Sequence, residues 1–161
     1  MKFNKKLTFS LGAFILISFL IFWQFYKEPS YRSFVAFAPQ DLRQIKIKDQ
    51  IFKLEVADTL AKKQKGLADR ESMPQNYGMI FIFEKKGIYS FWMKEMRFPL
   101  DFLWIDGDKI VEITRNVPVP SDEDFLIYQP QVPVNKVIEL NAGMAAAISL
   151  GDKIVEDIAQ D

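Results

Sequence analysis

Apolar and charged residues alternate through IKIKDQIFKLEVA, residues 45–57, the period-two signature of strands with one wet face. Phe52, Leu54 and Val56 fall on the inward side, and Lys53 and Glu55 on the outward side. The next stretch, DTLAKKQKGLADR, predicts a helix. Asp58 or Thr59 caps its start, Leu60 and Leu67 share one face, and Gly66 helps to stop it. GMIFIF, from Gly78, reads as a short strand buried on both faces. GIYSFWMKEM and DFLWI follow as two further strands, and Asp106-Gly107 supplies a tight hairpin into KIVEITRNV. PVPSDEDFLIYQPQVP, carrying Pro118, Pro120, Pro130 and Pro133, predicts a long irregular loop, and loops of that length in compact domains are often functional. Strand KVIEL, a short helix from Asn141 to Leu150 and strand KIVEDI close the chain. The expected fold class is α+β, mostly β: a single compact curled sheet or small barrel with two short helices over residues 45–161.

The pattern in front of this domain is different. No charge interrupts the chain between Lys6 and Lys27, and a run of about 20 apolar residues spans a bilayer as a helix. Residues 7–26 therefore predict a transmembrane anchor that precedes the domain. Lys2, Lys5 and Lys6 keep the tail, residues 1–6, in the cytoplasm, and Trp23, Phe25 and Tyr26 form the far aromatic belt. The small-residue pattern Ala36-Phe37-Ala38 lies too far downstream, with Pro39 after the cut, to make a good signal-peptide site. Residues 27–44, broken by Pro29 and Pro39, read as a linker. The domain is thus expected outside the cytoplasm, periplasmic or extracellular, held to the membrane through the N-terminal helix.

Composition narrows the chemistry. Lys+Arg and Asp+Glu balance at 21 each, so no net field draws nucleic acid, and no nucleic-acid partner is expected. The absence of cysteine removes thiolate catalysis and sulfur-bound zinc, and the absence of histidine removes Ser-His-Asp chemistry and the commonest metal ligand. No cofactor and no metal site follow from what is left. Any reaction would run on carboxylates, Lys, Tyr, Ser/Thr, Arg, backbone groups or a borrowed cofactor.

GLADR, GMIFIF, FWMK, FPLDFLWID, VIELNAG and LGDKI occur in this order and at these spacings, and together they make residues 45–161 resemble the bacterial and archaeal domain-of-unknown-function family 192. The resemblance implies a compact β-rich domain, often behind a membrane or signal segment, without an established activity. Against that family's pattern the chain departs twice. Ala68-Asp69 stands where a methionine and an aromatic are usual, and Glu95-Met96 where a small polar pair is common.

Two acids stand out because of their company. Asp101 follows Pro99-Leu100 and precedes a run of large apolar residues, and Glu139 lies between Ile138 and Leu140. A carboxylate in such surroundings must be hydrogen-bonded or paired, since an isolated buried charge is very costly. Asp101 can serve structure, by accepting backbone N–H groups or pairing with Arg70 or Lys94. It can instead join a candidate polar patch of Arg70, Lys94, Asp101, Tyr128 and Glu139. The loop offers Phe125 and Tyr128 as candidate binding residues. The aromatics and methionine of SFWMKEMRFPLDFLWIDG read mainly as core.

The chain is therefore expected to be a membrane-tethered extracytoplasmic binding module, for a protein or a small molecule, rather than an enzyme. Two alternatives stay open. Asp101 and Glu139 could divide acid and base work on a cell-wall glycan, if they stand about 5–9.5 Å apart across a cleft. Met93 and Met96 could hold Cu(I) through soft thioethers, although three residues along a strand sets them on opposite faces. The triplet Asp122-Glu123-Asp124 has the oxygens for Ca²⁺ but reads as a solvated charge run.

Overall fold

The computed structural model describes residues 42–121 and 126–156. Strands β1 (Leu42–Ile47) and β2 (Gln50–Ala57) form a hairpin. Helix α1 (Leu60–Lys65) leads across to β3 (Tyr77–Gly87). Strands β4 (Phe91–Trp92), β5 (Leu100–Asp106), β6 (Lys109–Val117), β7 (Ile127–Tyr128), β8 (Val134–Asn141) and β9 (Ile154–Glu156) follow. Seven strands make one sheet in the order β6-β5-β8-β3-β2-β1-β9, and β4 and β7 pair as a separate ribbon. Only β2 and β3 run parallel among the paired strands, because α1 carries the chain over between them.

The sheet curls into a half-barrel. At one end, Ile110 N–H donates to Asp152 O at 2.9 Å, Gly151 N–H to Ile110 O at 2.8 Å, and Ile154 N–H to Asp108 O at 2.8 Å. These bonds stitch the start of β6 to the segment entering β9, although the two strands lie at opposite ends of the sheet order. Ile45, Ile47, Phe52, Leu54, Ile80, Leu103, Ile105, Ile138 and Leu140 fill the concave side, with Ala145 and Ile148 closing it like a plug. Phe52 and Leu54 point inward as their alternation predicts.

The fold class differs from the α+β expectation: among the described residues the protein is mostly β with one short helix. Residues Asn141–Leu150 are not helical but a string of turns, with Met144 N–H bonded to Asn141 O, Ala146 N–H to Gly143 O and Ile148 N–H to Ala145 O. Three causes act together. Gly143 sits at φ 87°, outside the helical region. The N–H of Ala145, which a helix would bond to the carbonyl of Asn141, is taken by Asp101, and Arg115 binds the carbonyl of Ile148. Asn141 ends β8 and donates to the carbonyls of Met73 and Pro74 instead of capping a helix.

Two further expectations are corrected. GIYSFWMKEM keeps as strand only Gly87, the end of β3, and Phe91–Trp92, since Glu95 at φ 60° and a Met96 N–H to Met93 O bond turn the chain, and the ribbon makes a second sheet rather than one. Helix α1 has Thr59 as its cap and stops at Gly66 as expected, but it ends before Leu67. Leu67 is buried while Leu60 is 72% exposed, so the two do not share a buried face.

Among the described residues no helix is long and apolar enough to cross a membrane. The expected anchor, residues 7–26, and the tail before it lie outside the described residues, as do Phe125 and Asp122-Glu123-Asp124. Of residues 27–44, the last three already belong to β1.

Candidate functional site

The convex side of the sheet carries the candidate site. Register places Glu55 of β2, Met79 of β3, Glu139 of β8, Phe102 of β5 and Thr114 of β6 in one row across it. Phe81 and Phe83 follow Met79 on the same face by alternation. Gly78 makes this crossing possible. A Cβ there would lie 2.3 Å from the carbonyl oxygen of Glu139, so only glycine lets β8 pass so close.

Aromatic rings cover most of this face. Phe91 meets Phe81 edge to face at 4.9 Å and Trp104 at 5.4 Å, while Tyr128 stands against Phe102 at 5.7 Å. Trp104 is fully buried and donates from Nε1 to Thr114 Oγ1 at 2.9 Å. The aromatic run is thus core, but it is the core of the second face.

Where this aromatic cover meets α1, a cavity of about 310 Å³ opens. Phe81, Phe83 and Phe91 wall it, Leu67 and Met96 close its sides, and Glu139 lies at its base. Ala68, Glu95 and Met96 line the wall, and Asp69 N–H donates to Glu95 O at 2.8 Å.

Glu139 is 5% exposed and lines the cavity. Burial raises its pKa from 4.5 to about 8, against a smaller opposing pull from the Arg70 cation. At neutral pH it is accordingly an uncharged carboxylic acid, with one donor and acceptor capacity to spare. Arg70 does not neutralise it, because its guanidinium grips both oxygens of Glu55, at 2.9 Å for Nη2 to Oε2.

Lysines surround the cavity. Lys63 is half-buried with Nζ 4.8 Å from the Phe83 ring centre, and it makes no ion pair among the described residues. Lys65 pairs with Asp69, and Lys94 lies 3.8 Å from Glu95. Trp92 is 53% exposed and lines the same opening.

The candidate polar patch does not assemble as one group. Lys94 and Glu139 line this cavity, and Arg70 acts on Glu139 through its charge. Tyr128 lines a second cavity with Met93, Pro118 and Leu126. Asp101 faces the other way: it pairs across the ladder with Leu140, on the concave side, and accepts from Asn116 N–H at 2.8 Å and Ala145 N–H at 2.9 Å. Its carboxylate clasps the plug to the sheet. Asp101 and Glu139 therefore open to opposite sides of the sheet and share no cleft, which leaves the paired-carboxylate arrangement without its geometry. Met96 and Met93 likewise line different cavities and do not converge on one ion. Among the described residues no three acidic side chains form a metal-binding group.

Sequence reasoning missed Lys63, Phe81 and Phe83 as cavity residues. The alternation of Phe81 and Phe83 told which face they take, but not that α1, with Lys63, would stand over them.

Fold and site together define a half-barrel β domain with a carboxyl-based cavity on its convex face. The chain belongs to the DUF192 family, described as "Uncharacterized ACR", which matches residues 43–155. A crystal structure from Sinorhizobium meliloti 1021, provisionally described as a transcription regulator, is 28% identical with a TM-score of 0.67, covering 74% of this chain and 96% of that one. A protein of unknown function from Novosphingobium aromaticivorans is 29% identical with a TM-score of 0.65, covering 71% of this chain and 84% of its own. No curated protein matches the sequence.

Proposed function

We propose that this protein is a binding module that holds a small molecule in the convex-face cavity, tethered outside the cytoplasm by its apolar N-terminal segment. One observation carries the binding reading: Glu139, only 5% exposed and with its pKa raised by burial, lines an open aromatic-walled cavity. A ligand group can hydrogen-bond to that carboxyl, and clefts walled by aromatic side chains with a few convergent polar groups are the usual form of small-molecule sites. The tether rests on the uncharged apolar run between Lys6 and Lys27.

A cavity-filling variant tests this reading. Ala68 lines the wall, so Ala68→Phe places a ring in the space a ligand would occupy. A panel of small aromatic solutes, each carrying one neutral hydroxyl or amide group, is expected to raise the melting temperature of the parent and not of the variant. If no solute stabilises the parent, or if both proteins respond equally, the reading is wrong.

A further inference from the structure

Resting on the ligand-cavity reading above, we infer that the cavity takes a small soluble organic anion, a carboxylate or phosphate monoester on an apolar body. The charges around Glu139 carry the choice. From α1 come Lys63 and Lys65, and from the turn after β4 come Lys94 and Glu95. Arg70, in the segment after α1, is held by Glu55 of β2. β3 and β5 present only Met79, Phe81, Phe83 and Phe102 beside Glu139. Two of the three lysines have acidic neighbours, Lys65 in Asp69 and Lys94 in Glu95. Lys63 has none among the described residues, so its charge is left to act at the opening.

A cationic ligand would meet this field on the way in. It would also find the Phe83 face, the natural seat for a cation, already covered by Lys63 at 4.8 Å. An anion meets the opposite situation. Its head stays near the Lys63 ammonium, its body lies against Phe81 and Phe91, and a neutral Glu139 donates or accepts one hydrogen bond without repelling it. Glu139 in its acid form is part of the site, because its ionisation would set two negative charges in one desolvated space. Since burial holds its pKa at about 8, anion affinity should fall as pH rises past that value.

Three probes with one apolar body separate the terms: naphthoate, uncharged naphthylmethanol and naphthylmethylammonium. They are titrated calorimetrically into the full-length chain in zwitterionic nanodiscs. Naphthoate is expected to bind roughly fivefold or more tighter than the alcohol, the increment of about one partly screened charge pair, and the ammonium to bind weakest. Lys63→Gln should remove that advantage and leave the alcohol unchanged. Glu139→Gln keeps a neutral hydrogen-bonding group, so it should retain naphthoate at pH 7 and hold it at pH 9, where the parent loses about tenfold. Ammonium binding as tight as naphthoate, or equal affinity for all three, overturns the anion inference while the cavity reading stands. Loss of naphthoate in Glu139→Gln at pH 7 also overturns it. If no probe binds, both readings fall. Anionic-lipid nanodiscs complete the test: unchanged naphthoate affinity supports a soluble ligand, and competition assigns the cavity to a lipid headgroup instead.

Discussion

Replacing Glu139 by glutamine should stabilise the protein, and by an amount that depends on pH. Glutamine matches the shape and neutrality of the acid form but cannot ionise. The folded-state pKa lies above the ordinary value, about 8 against 4.5, so the native state holds a proton that the unfolded chain releases. The stability tied to that proton is complete below about pH 4.5 and is lost as pH rises towards 8. The slope is about 1.4 kcal/mol for each pH unit in that window. From 4.5 to 7 the loss is roughly 3 kcal/mol, a large share of the 5–15 kcal/mol typical of a whole domain. The exposed acids Asp58, Asp69, Asp108 and Asp152 have pKa values lowered by backbone hydrogen bonds or by lysine partners, and titrate on the acid side. They are common to both proteins and cancel in the difference. Urea and thermal melts of residues 39–161, which form a compact unit, give that difference directly. Parent and Glu139→Gln should coincide near pH 4.5, and the variant should melt on the order of 10 °C higher at pH 7. A gap that does not change with pH, or a parent more stable at pH 8, would refute the buried-acid reasoning.

Two other substitutions probe what holds the half-barrel together. Asp101→Ala leaves the N–H groups of Asn116 and Ala145 without acceptors, at a cost of about 2–5 kcal/mol in urea melts. Asp101→Asn keeps one acceptor and should fall between that variant and the parent. An undamaged Asp101→Ala would show that the carboxylate does not clasp the plug. Gly78→Ala drives a methyl group to 2.3 Å from Glu139 O and 2.8 Å from Leu54 Cδ2. It should cost about 3 kcal/mol or more, with hydrogen exchange rising in β2, β3 and β8. Parent-like protection would contradict the close crossing.

Alternation and turn chemistry determined most of the strands. Phe52 and Leu54 point inward because a strand has a period of two and one side of this sheet is closed. Lys109–Val117 follows the Asp106-Gly107 signal because Gly107, at φ 66°, readily adopts the turn backbone. The ordered segments from GLADR to LGDKI were enough to indicate the family that covers residues 43–155. Local signals also showed that Asp101 and Glu139 were acids in apolar company.

The roles of those two acids were decided only by tertiary structure. Parity puts Asp101 and Glu139 on opposite faces once the β5–β8 register is known, and register is a long-range property that neither segment contains. The Asn141–Leu150 segment has the alanines of a helix, yet Asp101 and Arg115 take its polar groups from strands far away in sequence. The cavity exists because a crossover between parallel strands must pass over one face of the sheet, and this one sets α1 and Lys63 above Phe83. Each side chain's preference could be read along the chain, but which distant groups it would meet was set by how the sheet closed.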